Sequence, residues 1–93
     1  MRSVHVTDLT IAARTLLGVC PAQRVVFVRS IIRDAHAADK YRKHTGRAHP
    51  VLGHGNLADA CAHHAKPSMP AFCTADYLDC LAIVVTACRY QHL

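Results

Sequence analysis

The 93-residue chain contains no glutamate and no tryptophan, and its aromatic residues are two Phe and three Tyr. Each shortage narrows what the protein can be. Sparse aromatics leave little surface on which nucleic-acid bases could stack. No apolar run approaches the roughly 20 residues of a membrane span. The N-terminal MRSVHVTDLT lacks the charged-then-apolar layout of a secretory leader. The five cysteines are an odd number, contain no C-x-x-C pair and have no tight spacing, which disfavours a disulfide framework and fits a reducing compartment. These features predict a cytoplasmic protein without membrane association. There is no internal repeat or low-complexity tract. The length fits one domain, residues 1–93, with a modest core. A composition of 52% apolar and 18% charged residues is that of a globular chain.

What is present is a concentration of positive charge. Residues 24–47 hold seven basic side chains (Arg24, Arg29, Arg33, Lys40, Arg42, Lys43, Arg47) against Asp34 and Asp39, a surplus of +5 that equals the net charge of the whole chain. The rest balances: Arg2, Arg14, Lys66 and Arg89 against Asp8, Asp59, Asp76 and Asp79. A solvated helical face usually mixes Glu with Lys. A one-sided basic block suits a negatively charged partner instead.

Periodicity predicts an all-α, compact four-helix domain. A first helix is expected from Thr7 as N-cap to about Gly18, with Asp8 suited to the helix dipole and Leu9, Ala12, Ala13, Leu16 and Leu17 on a 3.6-residue period. A long central helix follows over about 21–44, with Pro21 as its first residue and Gly46 as a left-handed cap, so that it ends between His44 and Gly46. On it, Phe27, Val28, Ile31, Ala35 and Ala38 fall within about 100° of one another. Arg29, Arg33, His36, Lys40, Lys43 and His44 lie opposite, with Asp34 and Asp39 at the borders. Val25 and Val26 break this pattern, and there the helix is expected to pass beneath a neighbour. Asn56 should cap a short helix over about 57–65, and Thr74 one over about 75–91, with Asp76 and Arg89 in dipole-compatible ends. The last helix is apolar around more than half its circumference and is expected to be the most buried. Two irregular links rich in Gly, His and Pro join these elements. The predicted core is Leu16, Phe27, Ile31, Leu78, Leu81 and Val85.

The segment Ala38–Leu57 carries Ala-Asp-Lys-Tyr-Arg-Lys, then Thr-Gly-Arg-Ala-His-Pro, then Gly-His-Gly-Asn-Leu. In this TGRxHPxxGxG-type loop the chain resembles a small uncharacterised family of alphaproteobacterial proteins, helical, of about this length and described only as a domain of unknown function. The likeness extends more loosely to the first helix and to Asp76-Tyr77 and Cys80-Leu81-Ala82. It implies no activity, and no catalytic residue carries over.

Three constellations could carry chemistry. Cys61 with His64, and Cys88 with His92, have ligand spacing on helices, and two such helices side by side could form a Cys₂His₂ zinc site. The simpler reading makes Cys73, Cys80 and Cys88 small core residues and leaves His63-His64 at an exposed helix end. The loop His49, Gly53, His54, Gly55, Asn56 could turn backbone N–H groups toward an anion, with Arg47 close by in sequence. No strand precedes it, so it lacks the context of a dinucleotide site, and its simpler role is a tight helix connection. No acidic partner is placed beside any Cys-His pair, so an enzyme is not expected, and neither is a cofactor.

The basic stripe Arg29, Arg33, His36, Lys40, Lys43 and Arg47 remains, to be weighed against the solvated face of an amphipathic helix. It predicts a non-enzymatic regulatory or adaptor protein that binds an acidic protein surface. One alternative is sequence-independent binding of nucleic acid through phosphate contacts, although no helix-turn-helix spacing is present and the central helix is long for a recognition helix. The other is a zinc-stabilised helical module. A membrane-surface helix is disfavoured because its Ala-rich face is needed for the core.

Overall fold

The computed structural model describes residues 1–67 and 74–90. Among them are four α-helices and no strand: α1 Val6–Leu17, α2 Arg24–Thr45, α3 Leu57–Cys61 and α4 Ala75–Tyr90. None is long and apolar enough to cross a membrane. Pro21 opens a short 3₁₀ turn, Pro21–Gln23, that leads straight into α2. A proline fits there because its missing N–H has no helical partner to lose. At the other end of α2, Gly46 takes φ 73° and its N–H donates to the Arg42 carbonyl at 2.8 Å, the expected left-handed cap.

The start of α1 differs from the sequence reading. The N-cap position is His5, not Thr7. Asp8 decides this: its Oδ2 accepts from the His5 N–H at 2.8 Å, which places Asp8 at the third helical position and Thr7 inside the first turn. Oδ1 of Asp8 accepts from the Ala58 N–H at 3.0 Å, so one buried carboxylate serves the first turns of both α1 and α3. The α3 cap is as expected, with Asn56 Oδ1 accepting from the Asp59 N–H at 2.7 Å. The helix stops at Cys61, short of residue 65. The Ala62 and His64 N–H groups bond three residues back, to Asp59 and Cys61, and the Lys66 ammonium takes the carbonyls of Cys61 (2.7 Å) and His64 (3.1 Å). Tightened bonds and a lysine on the last carbonyls end the helix without a glycine. Thr74 Oγ1 accepts from the Tyr77 N–H at 3.3 Å at the start of α4.

Helix α1 packs on α4, α3 and α2, and α4 also packs on α2. Alanines make up much of the packed surface: Ala12, Ala13, Ala35, Ala38 and Ala60 are all buried. Small side chains let helix axes approach each other, and they suit a chain that lacks the length for a large core. Leu16, Val28, Ile31, Leu57 and Val84 fill the space between. Leu16 and Ile31 meet expectation, while Phe27 and Leu81 are only partly buried.

Two predicted core residues lie outside: Leu78 is 49% and Val85 45% exposed. The buried face of α4 is instead Tyr77, Cys80 and Val84, and α2, not α4, buries the most residues. Apolar residues take up more than half of the circumference of α4, but α1 and α2 cover only one side of it, so the far side stays in solvent. The same holds at the start of α2. Val25 and Val26 pass beneath nothing among the described residues and are 47% and 66% exposed.

Arg24 explains that rotation. Counted with the basic block, it is in fact buried. Its Nε–H is shared between the carbonyls of Leu16 (3.0 Å) and Val19 (3.1 Å), at the end of α1. Nη1 and Nη2 reach Asp76 Oδ1 (2.8 Å) and Oδ2 (3.4 Å), in the first turn of α4. The planar guanidinium thus ties one helix end to two helix starts. With Arg24 turned inward, the next two residues, about 100° and 200° further round, must turn away. Asp39 is a second correction. Placed at a helix border by periodicity, it is buried and ion-paired with Lys43 (3.2 Å), Arg42 (3.4 Å) and the Met1 amino group (3.5 Å).

Replacing Arg24 with Ala should cost on the order of 2–3 kcal/mol, because it removes a buried side chain together with its bonds to the Leu16 and Val19 carbonyls and to Asp76. Asp76→Asn should cost distinctly less, since the Asp76 side chain is 60% exposed and Asn keeps an acceptor. Urea unfolding of the two variants measures this order. Equal losses would contradict the role given to the carbonyl bonds.

Candidate functional site: a basic face beside an apolar groove

Five members of the predicted stripe lie on α2 and one just beyond it. Arg29, Arg33, Lys40, Lys43 and Arg47 are exposed, and His36 is partly buried. Arg29, Arg33, His36, Lys40 and Lys43 fall within about 80° at 100° per residue. Among the described residues Arg29, Arg33, Lys40 and Arg47 have no carboxylate within ion-pairing distance. Lys43 differs, being paired with Asp39 one turn before it. His36 Nδ1 contacts the Met1 amino group. The cations left over are the surface charges that α2 cannot satisfy from its own chain.

The stripe borders a groove. Between α2 and α4 the surface opens into a depression of about 820 Å³. Val25, Val26, Ile32, Ile83 and Ala87 line it with hydrocarbon. Arg29, Arg33 and His36 line it from α2, while Thr86 and Tyr90 line it from α4. Its α4 residues were not singled out from the sequence. The signal that could have found it was Val25-Val26, two apolar residues off the buried arc of a helix, which need either a neighbour or a partner.

The Gly-His-Gly loop has a different use. His49 and Gly53 exchange backbone hydrogen bonds at 2.8 and 3.1 Å, closing a small ring. Within it, His49 Nδ1 accepts from the N–H groups of Val51 (3.1 Å) and Leu52 (3.0 Å). The His54 N–H goes to Asp59 Oδ2 at 2.9 Å. The protein's own carboxylates, Asp59 and Asp8, therefore stand where amides at a loop-to-helix junction could meet an external anion. Gly53 and Gly55 have φ 83° and 96°, and both are crowded. A Cβ on Gly53 would lie 2.6 Å from Asp59 Cβ, and one on Gly55 2.7 Å from Asp39 Cα. Asn56 is the α3 cap described above.

Of the proposed zinc ligands, the described ones, Cys61, His64 and Cys88, do not form a metal-holding group. Cys61 is buried and its thiol is hydrogen-bonded to Thr15, while the His64 ring packs edge-on against Phe27 with centroids 5.1 Å apart. Cys88 is partly buried on α4, and His92 and Cys73 lie outside the described residues. No group of three or more His, Cys, Asp or Glu that could hold a metal occurs among the described residues. Burial raises the thiols of Cys61, Cys80 and Cys88 above their ordinary value, which favours the protonated, unreactive form.

Fold and surface together define a small all-α domain whose most distinctive feature is a basic helix face alongside an apolar groove. The chain belongs to the family described as a domain of unknown function, DUF7742, whose model matches residues 2–88. No curated protein and no solved structure matches it significantly.

Two predictions follow from this geometry. Gly46 points into open space, so Gly46→Ala carries only the left-handed backbone penalty of about 1–2 kcal/mol. Gly55→Ala adds a collision with the backbone of α2 and should lower the melting temperature more than Gly46→Ala does. Thermal unfolding of both variants checks the ranking.

The second concerns pH. Burial, then His63, holds the His64 imidazole below its ordinary 6.5, so stability declines as pH falls through that value toward the lower folded one. The hydrogen bond from Arg24 holds Asp76 below 3.8. Burial pushes Asp39 up, but Lys43, the Met1 amino group and Arg42 outweigh it and hold it below 3.8 as well. Each carboxylate stabilises fully above 3.8 and loses that contribution as pH falls through its lower folded value. Melting temperature against pH should show a shallow step below 6.5, absent in His64→Gln, and a steeper one below 3.8, reduced in Asp76→Asn.

Proposed function

We propose that this protein is a non-enzymatic regulatory or adaptor domain that binds an acidic protein surface through the exposed face of α2. The observation that carries the reading is the set of exposed cations, Arg29, Arg33, Lys40 and Arg47, without carboxylate partners among the described residues. Unpaired charge of one sign on a rigid helix favours rapid association with a surface of opposite sign. Support for a non-catalytic role comes from the same chemistry. Burial favours the protonated form of the Cys61, Cys80 and Cys88 thiols, and the carboxylates Asp8, Asp39, Asp59 and Asp76 are committed to caps and ion pairs within the fold. On this reading no cofactor is needed and the protein works in the cytoplasm.

The experiment is charge reversal. Arg33→Glu with Lys40→Glu should leave the melting curve within a degree or two of the parent, since exposed charges contribute little to stability. Recovery of an acidic, stoichiometric partner from native lysate should fall by roughly tenfold or more at low salt. A reversed variant that recovers the same partner at the same yield would overturn the reading. Duplex DNA binding with a steep salt dependence would replace the protein partner with nucleic acid.

A further inference from the structure

The groove beside the stripe defines the partner more closely. Resting on the reading of α2 just given, we propose that the groove between α2 and α4 receives one acidic amphipathic helix of a partner protein. The helix lays its apolar side on the groove floor and sets carboxylates one turn apart on Arg29 and Arg33.

Size, chemistry and spacing support this occupant. From Val25 to His36 the groove follows α2 for about 16 Å, or three helical turns. Its floor is hydrocarbon from both helices. Val25 and Val26, 47% and 66% exposed, are apolar surface that folding leaves in water. Such surface beside charge calls for a ligand with both characters in register. Arg29 and Arg33 are four residues apart and His36 three further, the spacing at which side chains on one helix face are neighbours at about 5–6 Å. Carboxylates at i and i+4 on a partner helix have the same spacing. A fatty acid brings one carboxylate for its whole chain and would leave the second arginine unmatched. A phosphate backbone would match the charges but has no apolar side for the floor. A flat bilayer cannot follow a depression between two helices.

The probe is a fluorescein-labelled, 18-residue synthetic helix with Leu along one face and two Glu four residues apart beside it, compared with a copy carrying Gln for Glu. Anisotropy at low salt should show saturable one-to-one binding to the full chain. Binding should be at least tenfold weaker for the Gln copy. It should also be at least tenfold weaker for Thr86→Trp, which fills the groove from an exposed position. Ala82→Glu, also exposed, gives a second block should the Trp variant not melt like the parent. Arg29→Glu with Arg33→Glu should abolish binding of the Glu helix and gain affinity for a copy carrying Lys.

No saturable binding, or equal binding by both groove variants, would overturn the inference. So would laurate that displaces the probe at comparable concentration, or a dimer in sedimentation that Thr86→Trp dissociates. The two readings fail separately. If reversing charge abolishes capture of the acidic partner while Thr86→Trp and Ala82→Glu leave it intact, the acidic partner stands and the groove does not seat it.

Discussion

A single guanidinium, that of Arg24, sets the relative placement of the main helices. Burying a cation is costly unless its donors find acceptors. Here the acceptors are carbonyls of Leu16 and Val19 and the carboxylate of Asp76. The end of α1, the start of α2 and the start of α4 must therefore meet at one point. Two helices that begin together, with α1 returning toward them, leave a shared edge between α2 and α4. The groove is that edge. The inward turn of Arg24 also sends Val25 and Val26 outward, so the clamp that orders the fold exposes the apolar surface beside the stripe.

A second set of carboxylates, two of them buried, holds the starts of α1 and α3 and the loop before α3. Asp8 joins the first turns of α1 and α3, Asp59 holds the Gly-His-Gly loop through the His54 amide, and Asp39 is neutralised by Arg42, Lys43 and the Met1 amino group. The chain has only six acids. Four of them are engaged in these contacts or with Arg24, so few remain to answer the arginines and lysines of α2. Structural use of the carboxylates leaves a basic face unneutralised, which connects the stability of the fold to the surface it presents.

The glycines of the loop have a packing role. Gly55 lies against the backbone of α2 at Asp39, and Gly53 against the side chain of Asp59. In this fold the loop delivers Asn56 to the start of α3 and seals the flank of α2. The two glycines of this loop are thus explained by close approach and left-handed backbone.

The all-α class, the Gly46 stop, the Asn56 and Thr74 caps and the exposed arginines of α2 were legible in the sequence. Each depends on local geometry: a 3.6-residue period, a left-handed glycine, an oxygen two or three residues before an amide. Other features depended on which neighbour a side chain meets. Arg24 reads as one more surface cation until Asp76, fifty-two residues away, lies beside it. Asp39 reads as a border residue until the Met1 amino group arrives. Leu78 and Val85 read as core because α4 is apolar around more than half its circumference, and periodicity cannot say which side of such a helix its neighbours cover. The groove belongs to the same class, since it is a property of two helix faces at a distance fixed by a third contact. Charge, caps and helix periods were set by sequence alone. Tertiary structure decided which charges are buried and which apolar residues stay in water, because burial is a relation between segments and not a property of either.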